Sequence, residues 1–434
     1  MTHKTILFLA QVAIVAAVVL FHVLALRAVL RSMPQGRPGI RRLVRWGAIA
    51  LILCLDLPLI HSFIFYKYYH PAWIDQLIHD LATPFVVLHL QAGLFGLYVL
   101  GRRHMRSLVD RIRRRRRIKA LTPDEQTILP TTPLTEMVDQ MVADSRRRFL
   151  WNGSLAIVGL ATSATAVKAM DSTDDFTLER VVVKIPGLPE ELKGTTIAMI
   201  SDVHSSVFMN RADMERYVGV LNSLDADIAV VTGDFVNSKI REVYPFGEAF
   251  SRLRARYGVY GVTGNHDYYT GDIETVCREV EQTGMILLRG GNIAIEKEGR
   301  KLYLAGVDDG DVYEIRSFLK EGRSERGVIE SMLSGIGQDD PTILLCHKPY
   351  PFEEYSSLGI DLMLSGHTHG GQVVLAQLDN INLSFASLAS SYVAGLYGSR
   401  SNRRSQLYVS RGVGTVGIPM RLNCPPEVTH IVVV

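Results

Sequence analysis

The distribution of apolar residues changes near residue 177 and divides the chain into two regions. In the first region, long apolar runs are separated by short polar or basic loops. Their approximate ranges are 6–29, 46–66, 81–100 and, more weakly, 149–170. A helix needs about 20 apolar residues to cross a bilayer, so these runs predict transmembrane helices. From about residue 177 onward, short apolar runs alternate with amphipathic stretches, which is typical of an α/β layer fold.

Five of the short apolar runs in the second region predict buried strands, and a polar motif follows each of them. The runs are 196–200, 228–231, 259–262, 342–345 and 362–364. The motifs are Asp202-Val203-His204, Gly233-Asp234, Gly264-Asn265-His266-Asp267, Cys346-His347 and Gly366-His367-Thr368-His369. An amphipathic helix is predicted over residues 209–224. Ligands of open α/β sheets bind at the carboxyl ends of strands, so we expect the five motifs to meet at one site.

The positions of the basic residues orient the first region in a membrane. A chain of 434 residues is long for one domain, which favours two regions. The loop 31–45 and the stretch 102–119 are rich in Arg, whereas the loop 67–80 is nearly neutral. Short basic loops face the cytoplasm. The sequence therefore predicts three transmembrane helices in residues 1–101, with the N-terminus outside, and a basic cytoplasmic linker over residues 102–148.

Runs of arginine also occur in nucleic-acid-binding proteins and in solvated tails. In this chain, the runs at 113–117 and 146–148 border apolar segments. Membrane topology therefore explains them better, and we expect a membrane rather than a nucleic acid as the partner.

The segment 149–170 has two interpretations. The preceding Ser145-Arg146-Arg147-Arg148-Phe149-Leu150 resembles a twin-arginine export signal, and Ala164-Thr165-Ala166 is a candidate cleavage site. On that interpretation, the twin-arginine translocase is a partner during export, and the signal is either cleaved or retained. The alternative is a fourth transmembrane helix with an ordinary basic flank. Both place everything after residue 171 outside the cytoplasm.

Polar residues within the predicted spans need partners, because burying them in lipid costs free energy. Asp56 and His61 lie in the second span, and His89 and Gln91 lie in the third. They form either a buried pair such as Asp56–His89, or a small ligand site, or interhelical hydrogen bonds that hold the bundle together.

The cysteines indicate no metal ribbon, because the chain contains no C-x-x-C motif. A single disulfide between Cys277 and Cys424 would be compatible with an oxidising compartment, but the sequence alone does not establish it.

The five polar motifs together supply the protein ligands of two adjacent metal sites. As ligands they supply two Asp, one Asn and four His, and His266 and Asp267 are left over. Two cations about 3.5–4 Å apart are suited to phosphate ester hydrolysis. Ligands rich in His favour Mn, Fe or Zn over Mg, which prefers oxygen. The sequence therefore predicts two divalent metal ions as the cofactors.

The order and spacing of the motifs over residues 178–434 resemble the calcineurin-like metallophosphoesterase family. The segment Gly366 to Gln372 and the closing Ser410 to Glu427 are similar to a bacterial phosphodiesterase branch, several members of which are twin-arginine exported or membrane-anchored. The resemblance implies an α/β fold, a four-layer sandwich of two mixed β-sheets flanked by helices. Here the N-terminal transmembrane helical region would precede it.

The resemblance also implies a role for each residue. The first metal would be held by Asp202, His204, Asp234 and His369, and the second by Asp234, Asn265, His347 and His367. Asp234 would bridge the metals with one carboxylate oxygen on each. His266 would be the catalytic residue that stabilises or protonates the leaving oxygen. Asp267, also assigned to catalysis, would hold the other ring nitrogen of His266.

These inferences predict a membrane-anchored binuclear phosphoesterase, by preference a phosphodiesterase. A metal-bridging hydroxide would attack the phosphate ester on the outer face of the cytoplasmic membrane. The phosphoester substrate would be lipid-derived or envelope-derived. The segment 386–404, which contains Arg400, Arg403 and Arg404, is either a rim that orients anionic substrates or a solvated loop. The alternative function is a membrane sensor or transport module whose metallophosphoesterase-like domain binds a ligand.

Overall fold

The computed structural model describes most of the second region and parts of the first. The described ranges are 38–64, 159–169, 175–310, 332–378, 381–384, 386–387, 390–417 and 419–434, with isolated positions at 20–30, 77–112 and 157. The chain divides into two compact units, Met1–Val167 and Lys168–Val434. The motif at 145–150 and most of the predicted spans and linker lie outside the described residues.

The first unit contains the helix α1 (Pro38–Ile64), which overlaps the second predicted span. Among the residues that the structure describes, no helix has the length and apolar character that crossing a membrane requires. Gln91 Nε2 donates hydrogen bonds to Gly159 O (2.6 Å) and Ser163 Oγ (2.8 Å), so it connects two predicted spans. The predicted Asp56–His89 pair includes the side chain of Asp56, which lies outside the described residues.

The second unit is built from two six-stranded mixed sheets. In the first sheet, the strand order is β1 (Thr177–Val183), β14 (Glu427–Val433), β2 (Thr195–Ile200), β3 (Ile228–Thr232), β4 (Val259–Val262) and β5 (Ile286–Leu287). In the second, it is β12 (Gly395–Gly398), β13 (Gln406–Val409), β9 (Leu362–Ser365), β8 (Thr342–Leu345), β7 (Arg300–Gly306) and β6 (Gly291–Lys297). A hairpin pairs β10 (Ala376–Leu378) with β11 (Ile381–Leu383). All five predicted strands are therefore present, each within one residue of its predicted ends.

Helices cover the outer faces of both sheets. Those described in the second unit are α2 (Arg211–Ser223), α3 (Val243–Phe250), α4 (Asn265–Tyr269), α5 (Ile273–Glu281) and α6 (Phe352–Ser356). Helix α2 begins where Asn210 Oδ1 accepts hydrogen bonds from Ala212 N and Asp213 N. It then buries one apolar face, which includes Met214, Val218 and Leu221.

Three hydrophobic clusters show that these elements form four layers. In β2, Ile197 and Met199 point into a cluster shared by the two sheets, whereas Ala198 and Ile200 point toward the helices on the first sheet. Likewise, in β8 Ile343 and Leu345 face the first sheet, and Leu344 packs in a third cluster with residues of α6. Successive residues of a strand point to opposite faces, so a strand buried on both faces is apolar throughout. The predicted helix–sheet–sheet–helix arrangement is therefore present.

The parallel strands place the predicted motifs at one edge of each sheet. β2, β3 and β4 run parallel to one another, and β7, β8, β9 and β13 do the same in the second sheet. Strands β1 and β14 pair with each other at the side of the first sheet, and β14 is antiparallel to β2. The carboxyl ends of the two parallel sets face each other across the sandwich.

Candidate metal centre

The predicted ligands converge, and most of them occupy unusual backbone conformations. Five of the seven have a positive φ angle: Asp202 (51°), His204 (49°), Asp234 (54°), His367 (70°) and His369 (51°). Residues other than Gly rarely adopt this left-handed region, which costs on the order of 1–3 kcal/mol and is concentrated at functional sites. The abrupt turn after each strand therefore directs the side chains inward instead of continuing the sheet.

Two glycines permit the close approach of these loops. A Cβ atom at Gly366 would overlap the Ser201 hydroxyl and the Asp202 carboxylate, and one at Gly264 would overlap Asp234. Any larger residue at either position would push a ligand-bearing loop out of the site.

The first cluster joins the ends of β2, β3 and β9. His204 Nε2 lies 3.1 Å from His369 Nε2, and His369 Nε2 lies 3.4 Å from Asp202 Oδ1. His204 Nε2 is also 3.4 Å from Asp234 Oδ2. All four side chains are buried. Two imidazole nitrogens and two carboxylate oxygens that face one another in this way can hold one divalent cation.

The second cluster joins the ends of β3, β4, β8 and β9. His347 Nε2 lies 3.2 Å from Asp234 Oδ2, and the His367 ring nitrogen belongs to the same group. Asn265 Oδ1 is buried and has no hydrogen-bond partner among the described residues. A buried polar atom without a partner is costly unless a ligand satisfies it. The residues present therefore fit a second cation.

Asp234 belongs to both clusters, and its two oxygens have different neighbours. Its Oδ1 accepts a hydrogen bond from His266 N (2.8 Å), so that oxygen is already engaged. Its Oδ2 alone faces both His204 and His347, at 3.4 and 3.2 Å. Oδ2 is therefore the oxygen that lies between the two clusters, and the assignment of one oxygen to each metal stays a prediction.

The electrostatics of the site keep most of its imidazoles neutral. Burial lowers the pKa of His204 well below its ordinary value, that of His367 to about 3 and that of His369 to about 4. Neutral imidazole is the form that binds a metal. Burial raises the pKa of Asp234, but the positive charge of His347, whose Nε2 lies 3.2 Å away, outweighs it and holds that pKa well below its usual range.

His347 is the exception. Burial lowers its pKa, but the Asp234 carboxylate beside it outweighs that effect and raises the pKa to about 10. Its Nδ1 donates a hydrogen bond to Thr232 O (2.8 Å), so Nε2 is the nitrogen directed at Asp234. A proton on Nε2 and a cation therefore compete for the same position beside Asp234.

Metal binding should consequently release a proton from His347. At pH 7.5 we expect His347 to release about one proton per pair of cations bound, in addition to the proton lost by metal-acidified water, and the apparent affinity should rise with pH until the pH approaches 10. The affinity rises with pH because His347 holds an extra proton before metal binds, and high pH removes that proton. Titration calorimetry in two buffers with different ionisation enthalpies measures the released protons. Identical heats in the two buffers would contradict the assignment.

The two predicted catalytic residues, His266 and Asp267, have separate hydrogen-bond partners. His266 Nδ1 donates a hydrogen bond to the Asn237 carbonyl (2.5 Å), and its ring packs edge-on against the His204 ring, with centroids 4.5 Å apart. Asp267 instead accepts hydrogen bonds from Gly264 N (2.8 Å) and Val236 N (3.1 Å). The prediction that Asp267 holds the ring of His266 was wrong. Asp267 joins two ligand-bearing loops, and a backbone carbonyl orients the histidine.

Several residues around the site were missed by the sequence analysis. Asp308 and Asp309 follow β7 and so lie at a further strand end, where Asp309 Oδ2 pairs with Lys348 Nζ (2.8 Å). The run of apolar residues before them carried the same signal as the five motifs. Arg421 is fully buried and donates hydrogen bonds to the carbonyls of Gly412 and Gly414. Nothing in the local sequence distinguishes it from a surface arginine.

The arginines of the segment 386–404 do not form a rim of this site. Gly398 in β12 pairs with Gln406 in β13, which in turn pairs with Leu362 at the start of β9. The turn between β12 and β13 contains Arg400, Arg403 and Arg404, and it therefore lies at the opposite edge of the sheet from His367. The solvated-loop interpretation is the one that the topology favours.

Glu353 fixes that turn. Its carboxylate accepts hydrogen bonds from Arg400 N, Ser401 N and the Ser399 hydroxyl. Burial raises the pKa of this carboxyl group, but these hydrogen bonds outweigh burial and lower it to about 2.

Replacing Glu353 with Gln should lower the free energy of unfolding by about 1 kcal/mol at neutral pH, a figure reduced for solvent screening. The folded-state pKa lies below the unfolded value of 4.5, so this contribution is complete above that pH and is lost as the pH falls through about 2. Urea unfolding at pH 7 and pH 3 measures it. The adjacent exposed Glu354→Gln is the control, and an equal loss in both variants would contradict the role of Glu353.

The three cysteines whose side chains the structure describes, Cys277, Cys346 and Cys424, are not cross-linked. Cys277 packs in α5, and Cys424 Sγ donates a hydrogen bond to His369 O (3.2 Å), and both are free and buried. The alternative of a Cys277–Cys424 disulfide is therefore excluded in this structure.

Comparison with known proteins gives consistent results. The family model described as calcineurin-like phosphoesterase matches residues 195–371. A Danio rerio protein named "Transmembrane protein with metallophosphoesterase domain" is 28% identical over 392 residues, which cover 88% of this chain and 79% of that protein. A Bos taurus protein of the same name is 30% identical, and the match covers 67% of this chain and 64% of that protein. An uncharacterized metallophosphoesterase from Aquifex aeolicus is 30% identical over 59% of this chain and 91% of its own length.

Proposed function

The chain belongs to the calcineurin-like metallophosphoesterase family and is a metal-dependent phosphoester hydrolase, and from that premise we propose that it is a membrane-anchored binuclear phosphodiesterase. The observation that carries the proposal of two metals is the position of Asp234 Oδ2. This one oxygen lies within 3.4 Å of a histidine from each cluster. A shared carboxylate oxygen between two sets of buried ligands is suited to a pair of cations close together.

The residues of the chain supply binding, orientation and proton transfer. When bound, the two cations stabilise charge on the phosphoryl group and acidify water. Asn265 contributes a neutral ligand, so the site remains attractive to an anionic phosphate. His266 Nδ1 donates its hydrogen to the Asn237 carbonyl, so only the imidazolium form of His266 has a proton on Nε2, and in that form Nε2 can give the proton to the leaving oxygen.

Two observations support the proposed membrane location. The relatives from Danio rerio and Bos taurus are named transmembrane proteins. The match to the Danio rerio protein, at 392 residues, exceeds the whole length of the second unit and therefore extends into the first. We propose that the first unit anchors the enzyme and that the catalytic unit acts on the outer face of the cytoplasmic membrane. The proposed substrates are lipid-derived or envelope-derived phosphodiesters, and the twin-arginine translocase is the proposed export partner.

The full-length protein, purified in detergent and stripped of metal, tests this function. On bis-4-nitrophenyl phosphate, turnover should appear with added Mn²⁺ and be absent with chelator. Lack of turnover with Mn²⁺, Fe²⁺ and Zn²⁺ on several diesters would contradict the proposal and favour the ligand-binding module.

A reporter fused after Val434 should be active only outside the cytoplasm, and replacing Arg146 and Arg147 with Lys should block export if the twin-arginine signal is used.

A further inference from the structure

Tyr269 and Asn265 are linked by the geometry of one short helix. They are the last and first residues of α4, and side chains four positions apart on a helix are neighbours. Asn265 Nδ2 donates a hydrogen bond to the Tyr269 hydroxyl (3.2 Å). Asn265 itself is only 7% exposed, whereas Tyr269 is 56% exposed, so the hydroxyl reaches a buried amide from the protein surface.

The two ends of the Asn265 amide have opposite requirements. A cation needs the carbonyl oxygen, whereas the NH₂ group would repel it. Oδ1 is buried without a hydrogen-bond partner among the described residues, while Nδ2 bonds to Tyr269. The amide is therefore held in the orientation that presents its oxygen to the second cluster.

We propose that Tyr269 is a positioning residue for the second metal site. When the Asn265 oxygen binds a cation, the Asn265 NH₂ group still needs a hydrogen-bond acceptor. The Tyr269 hydroxyl is that acceptor. This inference rests on the proposed binuclear site. Tyr269 also lies beside His266, with ring centroids 4.8 Å apart, so the ring and the hydroxyl serve different neighbours. Replacing Tyr269 with Phe removes the hydroxyl alone and keeps the ring.

The neighbouring Tyr268 provides a matched control. Its hydroxyl donates a hydrogen bond to Asp308 and contacts none of the seven predicted ligands in the described structure. Burial, with the Asp308 carboxylate, raises the pKa of Tyr268, which therefore keeps its proton. Tyr268→Phe deletes the same atom one residue away, and it should lower the melting temperature without changing metal affinity.

The test titrates Mn²⁺ into metal-stripped full-length protein and follows heat and bound metal. Tyr269→Phe should bind its first cation like wild type and its second about 10–100-fold more weakly, the range typical of lost hydrogen bonds to metal ligands. Diester turnover should fall at low Mn²⁺ and recover to within about twofold at saturation. Unchanged affinity for the second cation, equal weakening of both cations, or uptake of only one cation by wild type would each overturn the inference.

A double-mutant cycle separates positioning from a general structural effect. In Asn265→Asp the ligand is a carboxylate, which offers an oxygen in either orientation. The effect of Tyr269→Phe on the second cation should therefore disappear in that background. If the effect persists at full size, Tyr269 does not act through the amide. Wild-type protein that binds two cations but has no turnover would instead refute the proposed function and leave this inference standing.

Discussion

Asp234→Asn should abolish turnover, with kcat/KM falling roughly 10³-fold or more. The two cations contribute several kcal/mol to stabilising the transition state, and a loss of about 4 kcal/mol corresponds to that factor. Asp234 Oδ2 is the oxygen shared by both clusters, and an amide nitrogen in its place would repel both cations. Metal analysis of the purified variant should therefore show a loss from both sites rather than from one.

Asp225→Asn is a suitable control for this variant. Asp225 is exposed and lies outside the site, but its backbone has a φ of 46°, close to the 54° of Asp234. The same substitution in the same backbone conformation should leave metal content and turnover unchanged. If Asp234→Asn retains two cations, or retains turnover near the wild-type level, Asp234 is not the shared ligand.

His266→Ala should lower kcat by about 10²–10⁴-fold while both metal sites remain filled, because general acid catalysis contributes a factor of that size. The Asp234 contact is made by the backbone nitrogen of residue 266, so alanine preserves it. The loss should be larger for an alkyl leaving group, which must be protonated, than for 4-nitrophenolate, which leaves without a proton. Steady-state kinetics on a series of diesters with different leaving groups measures this difference.

His430→Ala serves as the control, because His430 lies in β14 and pairs with Ala198 and Arg180 rather than with the site. It should behave like wild type with every leaving group. A His266→Ala variant that loses the same factor with all leaving groups would contradict a role as the acid. A variant that loses metal would show that His266 is needed for the sites themselves.

The α/β layers could be predicted because the five predicted strands are apolar on both faces, whereas the four-layer sandwich was implied by the family resemblance. Runs such as Ile228–Thr232 are buried between the second sheet and the outer helices, and no polar alternation obscures them. The position of β14 could not be predicted in the same way. It joins the first sheet from the end of the chain and runs antiparallel to β2, a pairing that depends on long-range contacts rather than on the local pattern.

The ligands could be predicted because one local signal, a polar motif after an apolar strand, marks each of them. Each predicted ligand follows a strand directly, so its convergence with the others follows from the parallel topology. The hydrogen bonds between loops were not predictable. The Asn237 carbonyl meets His266, and Asp267 bonds to Val236, only after β3 and β4 have paired. The position of Arg400 stayed open between a rim and a solvated loop, because the register of β12 and β13 decides which edge the turn occupies.

We propose that two cations, held by the seven predicted ligands, make the chain a phosphoester hydrolase. The most direct measurement is a titration of metal-stripped full-length protein with Mn²⁺ during turnover of bis-4-nitrophenyl phosphate. Turnover should rise with added metal and level off at two equivalents of bound Mn²⁺ per chain. A plateau at one equivalent would contradict the binuclear site, and an absence of turnover with two equivalents bound would contradict the hydrolase function.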